Sequence, residues 1–414
     1  MKKSAFVLLL SLLAGTARAG MISWEDCVRE ALRRNPDVAA ARELRDAGRQ
    51  DYKGSFNAFM PQAVLSHGYA DSNLATGSAR WNTKASASMA LFDMNRAASI
   101  RGFSASLSRA EAQLRQASAD LRLNLRQAFV QTLFSQENIG VATSVVGIRE
   151  RGAQMVSLRY QAGREFKGNM LRAQAQLLQA QSEAAQAGRD LRAALSVLGR
   201  ELGEDEWKTL VATGSLAAAP APETPDAAEP FVSRRPEVAE QEAAVAGAEA
   251  ALSAAQSPIW PTLSASYART ASGPVELPHE SLGWAFAGTL SLPVFGGGPT
   301  ATYHAREAAK SRLESARETL RLTRAQVLAD IENAWANYAQ ASSGLIVQGK
   351  LLESARQRGD EADIRYTSGL LTYDNWEIIN TDRVNQERQI LQARLNVALA
   401  EAAWERALGE ALGE

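Results

Sequence analysis

One cysteine, Cys27, stands among 414 residues. A lone thiol can form neither an intrachain disulfide nor a thiolate zinc cluster, so both kinds of staple are excluded. It reads as a small apolar residue on the first helix. Histidine is almost as scarce, with His67, His279 and His304 far apart in a strand, a loop and a helix start. Such scatter does not suggest a zinc site. No phosphate-cradling glycine loop, His-Glu-x-x-His motif or nucleophile elbow occurs, so no catalytic constellation or cofactor site is legible. Positive charge is not in excess either. The formal charge is -1, and about -4 once Lys2, Lys3 and Arg18 are removed. That is not the footprint of a nucleic-acid binder.

Long apolar runs are also missing after the N-terminus. Residues 1–19 have a basic start at Lys2 and Lys3, an apolar run from Ala5 to Leu13, and Ala17-Arg18-Ala19 as a small-x-small cleavage site. This predicts a signal peptide removed before Gly20. No cysteine stands at that point to carry a lipid. If the mature chain enters a membrane, it does so as a closed β-barrel, the remaining way to satisfy the backbone in lipid.

What is present is a repeat. Pro36 and Pro236, like Met60-Pro61 and Trp260-Pro261, are 200 residues apart. Trp81 and Phe92 match Trp284 and Phe295 at 203. Leu107, Leu114, Leu121 and Ala128 match Leu313, Leu320, Val327 and Ala334 at 206, as do Arg159-Tyr160-x-x-Gly163 and Arg365-Tyr366-x-x-Gly369. Landmarks kept in order at three offsets mean duplication.

The chain therefore divides into a first repeat at 20–203, an Ala/Pro-rich connector at 204–231 and a second repeat at 232–414. Each repeat is expected to open with a helix of roughly 25 to 30 residues, the first capped by Ser23 and Asp26. The second copy would open near Ser233. Paired strands follow, near 62–71 and 81–92, and again near 262–270 and 283–293. A helix of roughly 55 to 60 residues, about 90 Å long, comes next. A glycine turn and a returning helix of roughly 35 residues close each copy.

The second strand of each pair alternates. Trp81, Thr83, Ala85, Ala87, Met89 and Leu91 share one face, with Asn82, Lys84, Ser86 and Ser88 on the other. Its copy places Trp284, Phe286, Gly288, Leu290 and Leu292 together. An apolar face with a terminal Trp suits a lipid-facing barrel strand, and equally a soluble sheet packed on helices. Four strands cannot close a barrel in lipid, so membranous strands must be pooled from several chains, twelve from three. The segments from Asp71 to Arg80 and from Thr270 to Ser281 would then be extracellular loops. In the long helix, Ile100, Leu107, Leu114, Leu121 and Ala128 recur every seven residues, with Phe103, Ala110 and Ala117 beside them. This is a heptad seam rich in small residues, and a second seam is expected for a helix with two neighbours.

In this order the residues resemble the TolC-like outer-membrane efflux proteins. The resemblance is carried by Glu30-Ala31-Leu32 through Asn35-Pro36, Met60-Pro61-Gln62, Leu91-Phe92-Asp93 with Val294-Phe295-Gly296-Gly297-Gly298, and the two Arg-Tyr-x-x-Gly turns. It implies a mainly α fold with a small transmembrane β portion: long helical hairpins forming an α-barrel, and four strands per chain completing a 12-stranded barrel in a homotrimer. It also implies residence in outer-membrane lipid with a periplasmic extension. The partners implied are a periplasmic adaptor and an inner-membrane pump of the RND, ABC or MFS type. By position, Arg159, Tyr160, Gly163, Arg365, Tyr366, Gly369 and Asp374 are candidates for the periplasmic tip. Trp81, Trp284 and Phe286 are candidate lipid-facing anchors. The first turn departs from the family pattern at Arg164, Lys167, Gly168 and Asn169, leaving Asp374 as the acidic gate candidate, or as a helix cap. The competing reading is a non-conducting periplasmic coiled-coil adaptor or structural protein.

Overall fold

The computed structural model describes residues 21–70, 80–204, 207–216, 228–276, 278, 281–294 and 298–412. The expected signal peptide, most of the first strand loop, Pro220, Pro222 and Pro225 of the connector, His279 and Phe295-Gly296-Gly297 lie outside the described residues.

A two-residue strand β1 (Met21–Ile22) precedes α1 (Trp24–Arg34). Ser23 and Asp26 form the expected capping box. The opening helix is not continuous, however. It breaks at Asn35, whose ψ of 125° is extended, and resumes as α2 (Pro36–Ser55). Proline forbids the α region to the residue before it, and Asn35 puts the break to use. Its side-chain oxygen accepts from the Asp37 and Val38 amides, while its Nδ2 donates to the Glu201 carbonyl. The second copy breaks likewise at Arg235, between α5 (Glu229–Val232) and α6 (Pro236–Gln256), rather than opening as one helix near Ser233. In the connector, β4 (Val211–Ala212) pairs in parallel with β1.

The strands are β2 (Gln62–Ala70), β3 (Arg80–Phe92), β5 (Thr262–Gly273) and β6 (Ser281–Ser291). They form one antiparallel sheet in the order β2-β3-β5-β6. Residues 270–273, expected in a loop, continue β5 opposite β3. The long helices exceed the expected length: α3 (Met94–Gln161) has 68 residues and α7 (Ala301–Thr367) has 67. The return helices are α4 (Lys167–Leu202) and α8 (Tyr373–Ala407). Asp93 explains the end of the Leu-Phe-Asp motif, since its carboxylate caps α3 at the Asn95 and Arg96 amides.

Below the sheet the helices form an open row, α2 on α3, α3 on α6 and α6 on α7. Farther down the row is α4, α3, α8 and α7. Alanine and glycine make the close approaches. Gly48 meets Leu107 and Ala110 on one side of α3, while Ala105 and Gly102 meet Gly247 and Ala250 on the other. These are the two expected seams. The second rests on the row Ala98, Ala105, Ala112 and Ala119, all buried. Larger side chains fill the middle of the body, where Leu125, Leu198 and Leu202 are fully buried among Cys27, Phe129 and Leu395. Each such leucine contributes roughly 1.5–3 kcal/mol of burial. Burial raises the Cys27 thiol to about 12, so it stays protonated and inert.

Candidate functional site

Both hairpin ends use the same backbone device. Gly163 and Gly369 have φ of 72° and 77°, where glycine carries no steric penalty. The Gly163 amide donates to the Tyr160 carbonyl and the next amide to that of Arg159. Gly369 and Leu370 repeat this on Tyr366 and Arg365. The Arg-Tyr-x-x-Gly spacing is thus that of a Schellman cap, the arginine and tyrosine carbonyls being the two acceptors.

The side chains break the symmetry. Tyr366 is 0% exposed, whereas its counterpart Tyr160 is 37% exposed. The Arg159 guanidinium lies 4.5 Å over the Tyr366 ring and donates to the Tyr366 carbonyl at 2.5 Å. Arg365, Gly163, Gly369 and Asp374 face solvent. Asp374 lies in the first turn of α8 but does not cap it, the cap position being Thr372.

Tyr366 is held by residues that the sequence did not single out. Its hydroxyl donates to Glu165 Oε2 at 2.7 Å, and Glu165 Oε1 accepts from Asn169 Nδ2 and the Phe166 amide. Burial works to raise the Glu165 carboxyl, but the bonds from Tyr366, Asn169 and Phe166, with the Arg159 charge, outweigh it and hold the group below the ordinary glutamate range. Burial, then the bond to Glu165, pushes the Tyr366 phenol well above the usual tyrosine value. Burial and Glu377 raise Tyr373 to about 12.

Trp376 completes the cluster. It stacks on Tyr366 at 5.0 Å, packs on Tyr373 and donates from Nε1 to Asp363 at 2.6 Å. Its far edge sits on Gly152 of α3, where a Cβ would lie 2.8 Å from the indole. Higher up, Arg149 donates to Thr381, Gln176 to Glu377 at 2.6 Å, and Arg172 pairs with Glu377 at 2.9 Å. These last three contacts join the α3–α4 hairpin to α8. Beyond them, Leu158, Phe166, Ile364 and Leu370 are exposed, Phe166 at 80%.

At the other end, the sheet has two unlike faces. One carries Leu65 and Tyr69 of β2, Trp81 and Met89 of β3, Leu263 and Tyr267 of β5, and Leu282, Trp284, Phe286 and Leu290 of β6, with Arg269, between Ala85 and Trp284, its one charged residue among those described. Trp284 and Phe286 are 74% and 69% exposed, while Trp81 is half-covered by His67 and Tyr69. Among the described residues none covers the apolar side chains of β6, and Leu282 and Leu290 are exposed as well. The opposite face is mostly serine, threonine, alanine and glycine, with Gln62, Val64, Arg80, Asn82 and Lys84. From Trp81 to Phe92 the strand spans about 36 Å along its length, or about 28 Å at the usual barrel tilt, close to the apolar band of an outer-membrane barrel. Among the described helices none is long and apolar enough to cross a membrane.

The sequence pattern of the family described as "Outer membrane efflux protein" matches residues 27–204 and 231–410, one match on each repeat. The chain belongs to the outer membrane efflux protein family. The outer-membrane location implied by the resemblance stands with that membership. A curated relative, the cobalt-zinc-cadmium resistance protein CzcC of Cupriavidus metallidurans, is 26% identical over 287 residues. That match covers 69% of this chain and 65% of CzcC, just under two thirds of its length. The fold is that of solved outer-membrane channels. The outer-membrane channel OprN superposes with a TM-score of 0.83 at 19% identity, covering 94% of this chain and 90% of OprN. The outer membrane protein VceC of Vibrio cholerae gives 0.82 at 16%, covering 94% and 96%.

Proposed function

We propose that three copies assemble into a passive duct that crosses the outer membrane and continues through the periplasm. The observation carrying this reading is the sheet. It ends at β2 on one side and β6 on the other, and the two edge strands run in opposite directions. Copies related by rotation about one axis therefore join β6 to the next β2 with antiparallel pairing throughout, closing twelve strands with no edge left in lipid. The helix rows end on the same two sides, at α7 and at α2 or α4, so the same operation closes a tube of twelve helices.

In this reading residues 1–19 are removed on export, and 204–231 bridges repeats 20–203 and 232–414. Neither repeat is a domain alone, since each supplies two strands. Trp81, Trp284 and Phe286 meet lipid. The hairpin ends form the periplasmic tip, where Arg159, Glu165, Tyr366 and Trp376 latch one hairpin to the other. Tyr160, Gly163, Arg365, Gly369 and Asp374, with the exposed Phe166 and Leu370, face a periplasmic adaptor coupled to an inner-membrane pump of the RND, ABC or MFS type. The duct itself performs no chemistry.

Fractionated membranes test the assembly. The duct requires a heat-modifiable trimer in the outer membrane, and a soluble monomer contradicts it. Purified protein should conduct in planar bilayers once the tip is loosened by Tyr366→Ala.

A further inference from the structure

The inner face of the sheet carries charge of one sign. Its residues on β2, β5 and β6 are uncharged: Gln62, Val64, Ser66 and Gly68, then Thr262 through Ser272 on alternate positions, then the Ser281 to Ser291 set. On β3, Lys84 stands opposite Ser66 on one side and Thr270 on the other, four rungs inside the loop end. Arg80 follows on the same face at the strand's end. Among the described residues no carboxylate lies on this face. Glu276 is beyond the end of β5. The Lys84 side chain is exposed and has no acidic partner among the described residues, unlike most cations of the helices, which are paired with Asp or Glu.

A solvated lysine needs no counter-ion, and one on a soluble sheet would have no further meaning. Here the face opposite to Trp284 and Phe286 lines a water-filled bore walled by strand and lipid. A low-dielectric wall focuses the field of fixed charges into such a bore, and rings of lysine or arginine favour anions there. Three copies bring three Lys84 ammonium groups to one level. We propose that Lys84 is a specificity-determining residue that biases the barrel toward anionic or neutral solutes and against bare divalent cations. This rests on the duct reading.

The test is ion selectivity of the purified full-length trimer in planar bilayers under a KCl gradient, in the Tyr366→Ala background that loosens the tip. Lys84, Lys84→Gln and Lys84→Glu are compared there, so the contribution of the tip cancels. The chloride-to-potassium permeability ratio should fall by about threefold in Lys84→Gln, less than the roughly tenfold or more of a cleft lined throughout by one sign of charge because one residue per copy is changed, and further in Lys84→Glu. The contrast should shrink as the Debye length drops from about 10 Å in 0.1 M salt to about 3 Å in 1 M. Conduction with the same ratio in all three proteins overturns the inference and leaves the duct standing. A contrast undiminished in 1 M salt also overturns it. Trimers that do not conduct at all overturn the duct reading, and the inference with it.

Discussion

The Arg159 guanidinium covers the Tyr366 ring at 4.5 Å while bonding the Tyr366 backbone carbonyl, so one side chain grips both parts of a residue on the other hairpin. With Glu165 on the hydroxyl, Tyr366 is held from three directions by one hairpin end. Tyr366→Phe removes one hydrogen bond to a charged group, a loss of about 1.5–3 kcal/mol, and leaves the stack on Trp376. Tyr366→Ala also removes the buried ring and should cost about 3–5 kcal/mol locally. Open-channel time in planar bilayers should therefore rise in the order wild type, Tyr366→Phe, Tyr366→Ala. Equal closure in all three would mean that the latch does not hold the tip.

The pH dependence follows from Glu165. Its carboxyl is held below the ordinary glutamate range in the folded tip. A depressed carboxyl stabilises above its unfolded value, about 4.3, and the contribution is lost as pH falls through the lower folded value. Tyr366 is raised, so it keeps its proton past the ordinary tyrosine value of about 10. Closure measured by conductance should be flat from about pH 5 to 8 and weaken only on acidification below about pH 4. In Glu165→Gln the acid limb should vanish.

Gly152 is the seat of Trp376. A methyl group there would lie 2.8 Å from the indole, so Gly152→Ala must push Trp376 off the tip cluster. Overpacking of this kind costs roughly 1–3 kcal/mol. Gly188, also helical, has nothing within 4 Å of a new Cβ. Gly188→Ala should therefore stabilise by up to about 1 kcal/mol through helix propensity. Thermal denaturation of the detergent-purified trimers separates the two. Equal shifts would show that Trp376 does not depend on Gly152.

The two faces of β6 make a paired prediction. Phe286→Arg places a charge on the lipid side, at a cost of roughly 2–4 kcal/mol near mid-membrane. Ala287→Arg places it in the bore, where water remains. Yield of heat-modifiable trimer from outer membranes should drop for the first and hold for the second. The reverse result would invert the assignment of the faces.

Much of this was legible because the landmarks act locally. Gly163 and Gly369 mark turns with positive φ, and the alternation from Trp81 to Met89 needs only one strand, failing at Leu91 where the ladder against β5 bulges. Periodicity carried the helices but overran Asn35, because the apolar spacing continues past a break that only Pro36 imposes. What depended on contact between hairpins was hidden. Glu165 is polar, lies beside a glycine turn and has Leu371 as its counterpart in the second copy, so nothing nearby announces a partner 201 residues away. Trp376 likewise has Met170 at the equivalent place. The repeat displayed what the halves share, and the latch is built from what they do not.

The most direct test of the assembly is disulfide trapping between the two sheet edges. Within one chain β2 and β6 are separated by two strands, about 14 Å, whereas a disulfide needs Cα atoms within about 7 Å. The buried, protonated Cys27 leaves a background of little reactivity. Ser66→Cys on β2 is combined in turn with Ala285→Cys, Ala287→Cys and Thr289→Cys on the same face of β6, and the oxidised outer membranes are run on denaturing gels without reductant. Closure of three sheets into one barrel predicts a covalent trimer for at least one pair, reverting to monomer on reduction. Monomer alone at every pair, in chains that reach the outer membrane, would contradict it.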